Sequence, residues 1–151
     1  MSTKFGMCLL CALLCSVTVR ADDDWYRFPT SLEGKWKIAN AETAGHVKAA
    51  YVGQAVDIAG STIVLRSNLA SNEYALTFVN ASNPLIELDL TATSPDGSKK
   101  ITFRCIMDVS QDQIRLCRPQ NDRSPRPRDI ESPEDSETIF SMVRDTSGPK
   151  P

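Results

Sequence analysis

The side chains best suited to chemistry in this sequence are one histidine, two late cysteines and two carboxylates on a single apolar-patterned stretch. Cys105 and Cys117 flank a short run that reads as a hairpin, and their relation depends on where the chain turns. A turn centred on Gln111 sets them directly opposite each other, where a disulfide is chemically permitted in an oxidising compartment. A two-residue turn at Ser110-Gln111 instead sets Cys105 opposite Leu116, on the inner face with Met107, and leaves Cys117 on the other side. Nucleophilic catalysis by either thiol needs a base, and the only histidine, His46, lies in a separate, loop-like segment. Glu87 and Asp89 are two residues apart on one strand and so share a face, as the carboxylates of some glycosidases do. They alternate with Ile86, Leu88 and Leu90, which makes a solvated wall the simpler reading. Asp57, Glu73 and His46 have no metal-ligand spacing, so no metal and no cofactor is expected.

A second group of polar residues lies in the stretch from Pro119 to Glu137, which holds four of the nine prolines. Arg118, Arg123, Arg126 and Arg128 come first, and Asp129, Glu131, Glu134, Asp135 and Glu137 follow. A connection this long inside a compact domain is uncommon and usually functional or loosely ordered. Internal charge pairing is one role for it. Recognition of an anionic partner through Arg123, Arg126 and Arg128, such as a polysaccharide or another exported protein, is the other.

The elements that must position these residues are strands. Gly34 to Ile38 opens the first, with Trp36 and Ile38 on one face by the period of two. Strands are expected at 49–52 and 55–58 (joined or broken at Gly53), 61–66, 73–79, 84–91, 100–109, 113–118 and 138–144. Turn-forming residues separate them, most clearly Pro95-Asp96-Gly97. Eight or nine short strands at this spacing imply an all-β sandwich or barrel. In the segment from Gln113, Ile114 and Leu116 point one way while Arg115 and Cys117 point the other, so each strand buries one face and wets the other. A barrel of this size is either filled by side chains or holds one small ligand. The residues expected to line its interior are Trp36, Ile38, Tyr51, Val56, Ile58, Val64, Tyr74, Leu76, Phe78, Ile86, Leu88, Leu90, Phe103, Met107, Ile114 and Leu116.

The remaining three cysteines belong to a different region. Cys8, Cys11 and Cys15 lie in residues 5–19 (FGMCLLCALLCSVTV), an apolar run after Lys4 that ends with small residues at Val19 and Ala21. That pattern reads as a cleaved secretory signal over residues 1–21; at about 15 apolar residues it is short for a membrane span, which takes about 20. Removing it takes Lys4 and Arg20 from the 17 basic residues, leaving 15 against 19 acidic ones and a net charge of −4. An acidic mature chain argues against nucleic-acid binding, which draws on an excess of Lys and Arg. The expected organisation is a signal at 1–21, an exposed lead-in at 22–30, one domain at 31–145 with the long loop at 119–137, and a flexible tail at 146–151. No transmembrane segment is expected in the mature chain.

Gly34-Lys35-Trp36, with Arg144 just after the last aromatic strand, resembles the G-x-W start and closing arginine of lipocalin-like barrels. A wider pattern joins Leu32-Glu33-Gly34-Lys35-Trp36, Asp112-Gln113-Ile114-Arg115-Leu116-Cys117, Arg126-Pro127 and the final Ile139 to Arg144. It resembles a small secreted domain of unknown function abundant in planctomycete bacteria, which reads L-x-G-x-W, D-x-L-x-L-C and R-P in that order. The resemblance spans residues 31–145 and implies a single antiparallel, lipocalin-like, up-and-down β-barrel of about eight strands. It brings no catalytic or ligand residues. The chain departs from that pattern at Asp108 to Asp112, where a looser or shifted hairpin is expected.

Gly34, Trp36 and Arg144 are thus expected to be structural, with the guanidinium covering the indole face where the first and last strands meet. The sequence points to an exported protein, periplasmic, secreted or envelope-associated. Without a visible nucleophile–base pair, it reads as a non-enzymatic barrel that binds a small apolar or amphipathic ligand. The alternative is a filled barrel that acts through its loops on a protein or polysaccharide.

Overall fold

Alternating apolar and polar residues force a sheet to bury one face, and a sheet that curls until its first and last strands pair has no edges left to protect. This chain does so. The computed structural model describes residues 32–81, 85–110, 112–131 and 134–147; the signal and lead-in expected at 1–30 lie outside these. The described strands are β1 (Gly34–Thr43), β2 (His46–Val47), β3 (Ala55–Ala59), β4 (Thr62–Arg66), β5 (Ser71–Ala81), β6 (Ile86–Thr93), β7 (Lys100–Ser110), β8 (Gln113–Pro119) and β9 (Glu137–Arg144). β1 and the run from β3 to β9 pair antiparallel in sequence order, and β9 returns to β1. They form a closed eight-stranded up-and-down barrel. β2 is a two-residue arm paired only with the end of β1.

Two expectations about the strands need correction. Residues 49–52 are not a strand: Tyr51 N donates to Lys48 O and Val52 N to Ala49 O, so this stretch is a folded turn. β1 instead runs on to Thr43, past a bulge between Ile38 and Asn40 that restores the inward phase at Ala41 and Thr43. In β4, Val64 lies between Asp57 and Glu73 in register, while Ile63 pairs with Ile58 and Tyr74. Ile63 and Leu65 therefore face inward and Val64 does not. Three consecutive apolar residues carry no phase of their own, and the hydrogen-bond register decides it.

The barrel has a closed base and an open end. At the base, Leu32 is fully buried and its carbonyl accepts a 2.8 Å hydrogen bond from Trp36 Nε1. Trp36 pairs with Arg144 across β1 and β9. The guanidinium lies 4.3 Å from the indole centroid, and Arg144 Nη1 donates to Glu33 O at 3.0 Å. Gly34 sits at φ +128°, where a Cβ would come within 3.1 Å of Arg144 Nη1. The close approach and the positive φ explain the glycine. Trp36, Leu88, Met107 and Ile114 are fully buried and make this end solid.

The long connection after β8 is a strap held against the outer wall. Arg126 Nη1 donates to Leu88 O at 2.7 Å and Cys105 O at 2.6 Å, and Nη2 bonds Asp89 Oδ1 at 2.7 Å. Glu87 lies 3.7 Å from Arg126 Nε. Arg115 pairs with Glu131, and Ile130 is buried on an outer apolar cluster with Ile106 and Cys117.

Candidate functional site

The open end is built by residues at the ends of β1, β8 and β9 and by the turn at 49–53. On β8 the inward phase of Ile114 and Leu116 continues to Arg118, which pairs with Thr138 on β9. A guanidinium is thereby carried into the barrel. Its carbon lies 4.8 Å from the Phe103 centroid and 5.3 Å from that of Phe140, an arrangement in which ring faces attract a cation. No hydrogen bond or ion pair to the Arg118 side chain occurs among the described residues, and its Nε is buried without an acceptor. Buried N–H groups are paired in the great majority of structures, so this one stands out.

Arg118 lies at a boundary. Below it is an apolar pocket of about 50 Å³, lined by Ile38, Val56, Ile63, Leu65, Tyr74, Leu90, Leu116, Phe140 and Met142 together with Arg118. Toward solvent lies a basin of about 350 Å³ lined by Thr43, Lys48, Tyr51, Arg118, Gln120 and Thr138. This lining contains two cations and no carboxylate, although the whole chain carries a net charge of −2. Thr43 and Thr138 share a 2.7 Å hydroxyl hydrogen bond. Tyr51 reaches over from its turn and meets Phe140 edge-on, with centroids 5.2 Å apart and an interplanar angle of 87°.

The structure sorts the residues expected to line a ligand cavity. Ile38, Tyr74 and Leu116, with Val56 and Leu90, border the apolar pocket, and Tyr51 borders the basin. Trp36, Leu76, Leu88, Met107 and Ile114 are buried core, with Ile58. Phe78, Ile86 and Phe103 pack against that core. Ile63, Leu65, Arg118, Phe140 and Met142 were not among the expected lining residues. Arg118 in particular is reached by extending the Ile114–Leu116 alternation one step further.

The cysteines are separate buried thiols rather than a disulfide. Ser110 pairs with Gln113 and Ile106 with Cys117, a register one step beyond the turn centred on Gln111 and two beyond the Ser110-Gln111 turn. Cys105 points into the barrel core, and Cys117 belongs to the outer cluster beneath Ile130. Burial pushes each thiol up to about 12. For Cys117 the neighbouring Glu137 carboxylate adds to the effect.

The other candidates are dispersed or engaged. Glu87 and Asp89 both face Arg126, which makes them a clasp for the strap rather than a freely solvated wall. Arg126, with 18% of its side chain exposed, is committed to that clasp, whereas Arg123 and Arg128 are exposed. Asp57 is ion-paired with Arg66 at 2.7 Å, and His46 is exposed on the β2 arm. Among the described residues, no group of three or more His, Cys, Asp or Glu side chains is placed to hold a metal ion. Also among these, no helix is long and apolar enough to cross a membrane.

Together these features define a closed antiparallel barrel of lipocalin-like shape with a solid base and, at its open end, a basin lined by Arg118 and Lys48. The chain matches no protein-family model, and no curated protein and no solved structure is significantly similar to it.

Proposed function

We propose that this chain is an exported, non-enzymatic β-barrel that binds a small amphipathic molecule at its open end. The observation that carries the reading is Arg118, a guanidinium without an ion-pair partner among the described residues, set between an apolar pocket and a solvent-facing basin. A volume of about 350 Å³ falls in the range of small-molecule sites, with polar groups lining the basin and apolar ones the pocket below it. The solid base favours the mouth over the length of the barrel as the position of a ligand. Both late thiols are buried and held protonated, and His46 is exposed on a separate arm, which supports binding over catalysis. Export rests on the leader pattern of residues 1–21 and on the motif resemblance to the planctomycete secreted domain.

Native mass spectrometry of the protein purified after secretion tests this reading. The expected spectrum shows a chain lacking residues 1–21 and a retained or exchangeable small molecule. A full-length mass would remove the cleaved signal. No adduct, together with no hit in a ligand-observed NMR screen of small amphiphiles, would remove the binding role.

A second reading, an interaction module acting through its rim, is favoured by one observation. Leu69 is 98% exposed beside a groove of about 630 Å³ between the 50–55 and 66–69 turns. Under it, Leu69→Asp rather than a change at Arg118 abolishes the binding that the protein performs.

A further inference from the structure

The composition of the open end narrows the ligand class. We infer that it is a receptor for a short-chain carboxylate, with the anionic head on Arg118 and the hydrocarbon part in the apolar pocket. The inference rests on the binding role proposed above and adds the chemistry of the ligand.

Three independent observations support it. The first is charge: Arg118 and Lys48 line the basin with no acidic residue among its lining. The described residues offer Arg118 no counter-charge, and a planar guanidinium pairs best with a planar carboxylate. The second is the partner set of Arg118. Its guanidinium carbon lies over the Phe103 and Phe140 rings at 4.8 and 5.3 Å, contacts that supply no hydrogen-bond acceptor, and its Nε has none. The third is size. The apolar pocket of about 50 Å³ has room for only about three to five water-sized groups, at roughly 10–15 Å³ each. Its lining includes Ile38, Val56, Ile63, Leu65 and Leu90, which offer a hydrocarbon tail nothing but apolar contact. A tail of about three to five carbons fits the pocket at that size, and a longer one must displace core side chains.

The test titrates the secreted protein with butyrate, hexanoate and decanoate, and with hexanol and hexylamine as neutral and cationic counterparts. Binding is followed by calorimetry and ligand-observed NMR. Hexanoate is expected to bind at least tenfold more tightly than hexanol, hexylamine not to bind, and decanoate to gain nothing over hexanoate. Arg118→Met is expected to weaken hexanoate at least tenfold and change hexanol less than twofold, with Arg118→Lys in between. Should Arg118→Met not fold, the discrimination among hexanoate, hexanol and hexylamine by the unmodified protein still decides the matter. Equal binding of hexanoate and hexanol, untouched by Arg118→Met, overturns the carboxylate assignment while leaving a binding barrel. Failure of all five probes to bind overturns it too, and the binding role then stands or falls on the retained adduct. Tighter binding of decanoate overturns the size limit.

Discussion

Arg126 on the strap reaches the barrel wall at Asp89, 2.7 Å from Nη2 to Oδ1, while its Nη1 is shared by the carbonyls of Leu88 and Cys105. One side chain thus ties the long connection to two neighbouring strands. Replacing Arg126 with Met removes three charge-assisted hydrogen bonds and leaves Glu87 and Asp89 facing each other without their cation. The expected cost is about 1.5–3 kcal/mol, measured as a shift in the urea midpoint. The strap between 120 and 136 is expected to become the first site of limited proteolysis. An unchanged digestion pattern would show that Ile130 and the Arg115–Glu131 pair hold it without Arg126.

The barrel base depends on a different arginine. Trp36→Ala empties a fully buried site and breaks the bond to Leu32 O, so it is expected to cost about 3–5 kcal/mol. Gly34→Ala forces a Cβ onto a backbone at φ +128° and toward Arg144, for an expected cost of about 1–3 kcal/mol. Thermal unfolding followed by circular dichroism reads both. A Gly34→Ala variant as stable as the parent would contradict the described closure.

At the open end, the expected effect on stability is small. Arg118→Met loses contacts with two rings, at about 0.5–2 kcal/mol, and removes a buried N–H without an acceptor, whose cost is about 1–3 kcal/mol. The two nearly offset, so the variant is expected to unfold within about 1 kcal/mol of the parent. A large destabilisation would mean that Arg118 is a structural residue first.

The thiols set an alkaline dependence. Both are pushed from 9.0 up to about 12 in the folded chain. The unfolded chain therefore releases these protons from about pH 9, while the folded chain holds them. The stabilisation is complete below pH 9 and is lost as the pH rises toward 12. Urea midpoints at pH 7, 9 and 10.5 should fall less steeply for a Cys105→Ala/Cys117→Ala variant than for the parent. Neither thiol is expected to react with a disulfide reagent at pH 8 until urea is added. Rapid modification of the folded protein would place a thiol at the surface.

The sequence displayed the barrel because its inward positions are spaced by two along nearly every strand, from Trp36 and Ile38 to Ile114 and Leu116. It also displayed the closure, since an indole near the first strand's start and an arginine at the last strand's end must meet when the sheet closes. It hid what depends on register. Val64 was indistinguishable from Ile63 and Leu65 in an unbroken apolar run. The hairpin that separates Cys105 from Cys117 turns later than either arrangement drawn from the sequence. Arg118 was readable in principle, being in phase with Leu116, but an arginine next to a charged loop reads as part of that loop. Arg126 looked the same as Arg123 and Arg128, and only the strap's path distinguishes it.

The claim that the open end is the binding site is tested most directly by amide and methyl chemical-shift mapping with hexanoate, hexanol and hexylamine. The account predicts shifts confined to the mouth, at Thr43, Lys48, Tyr51, Gln120 and Thr138 and the pocket residues Leu65 and Leu90. Trp36, Met107 and Ile114 at the base should stay fixed. Shifts centred on Val52 and Leu69 at the rim, or none with any of the three probes, would contradict it.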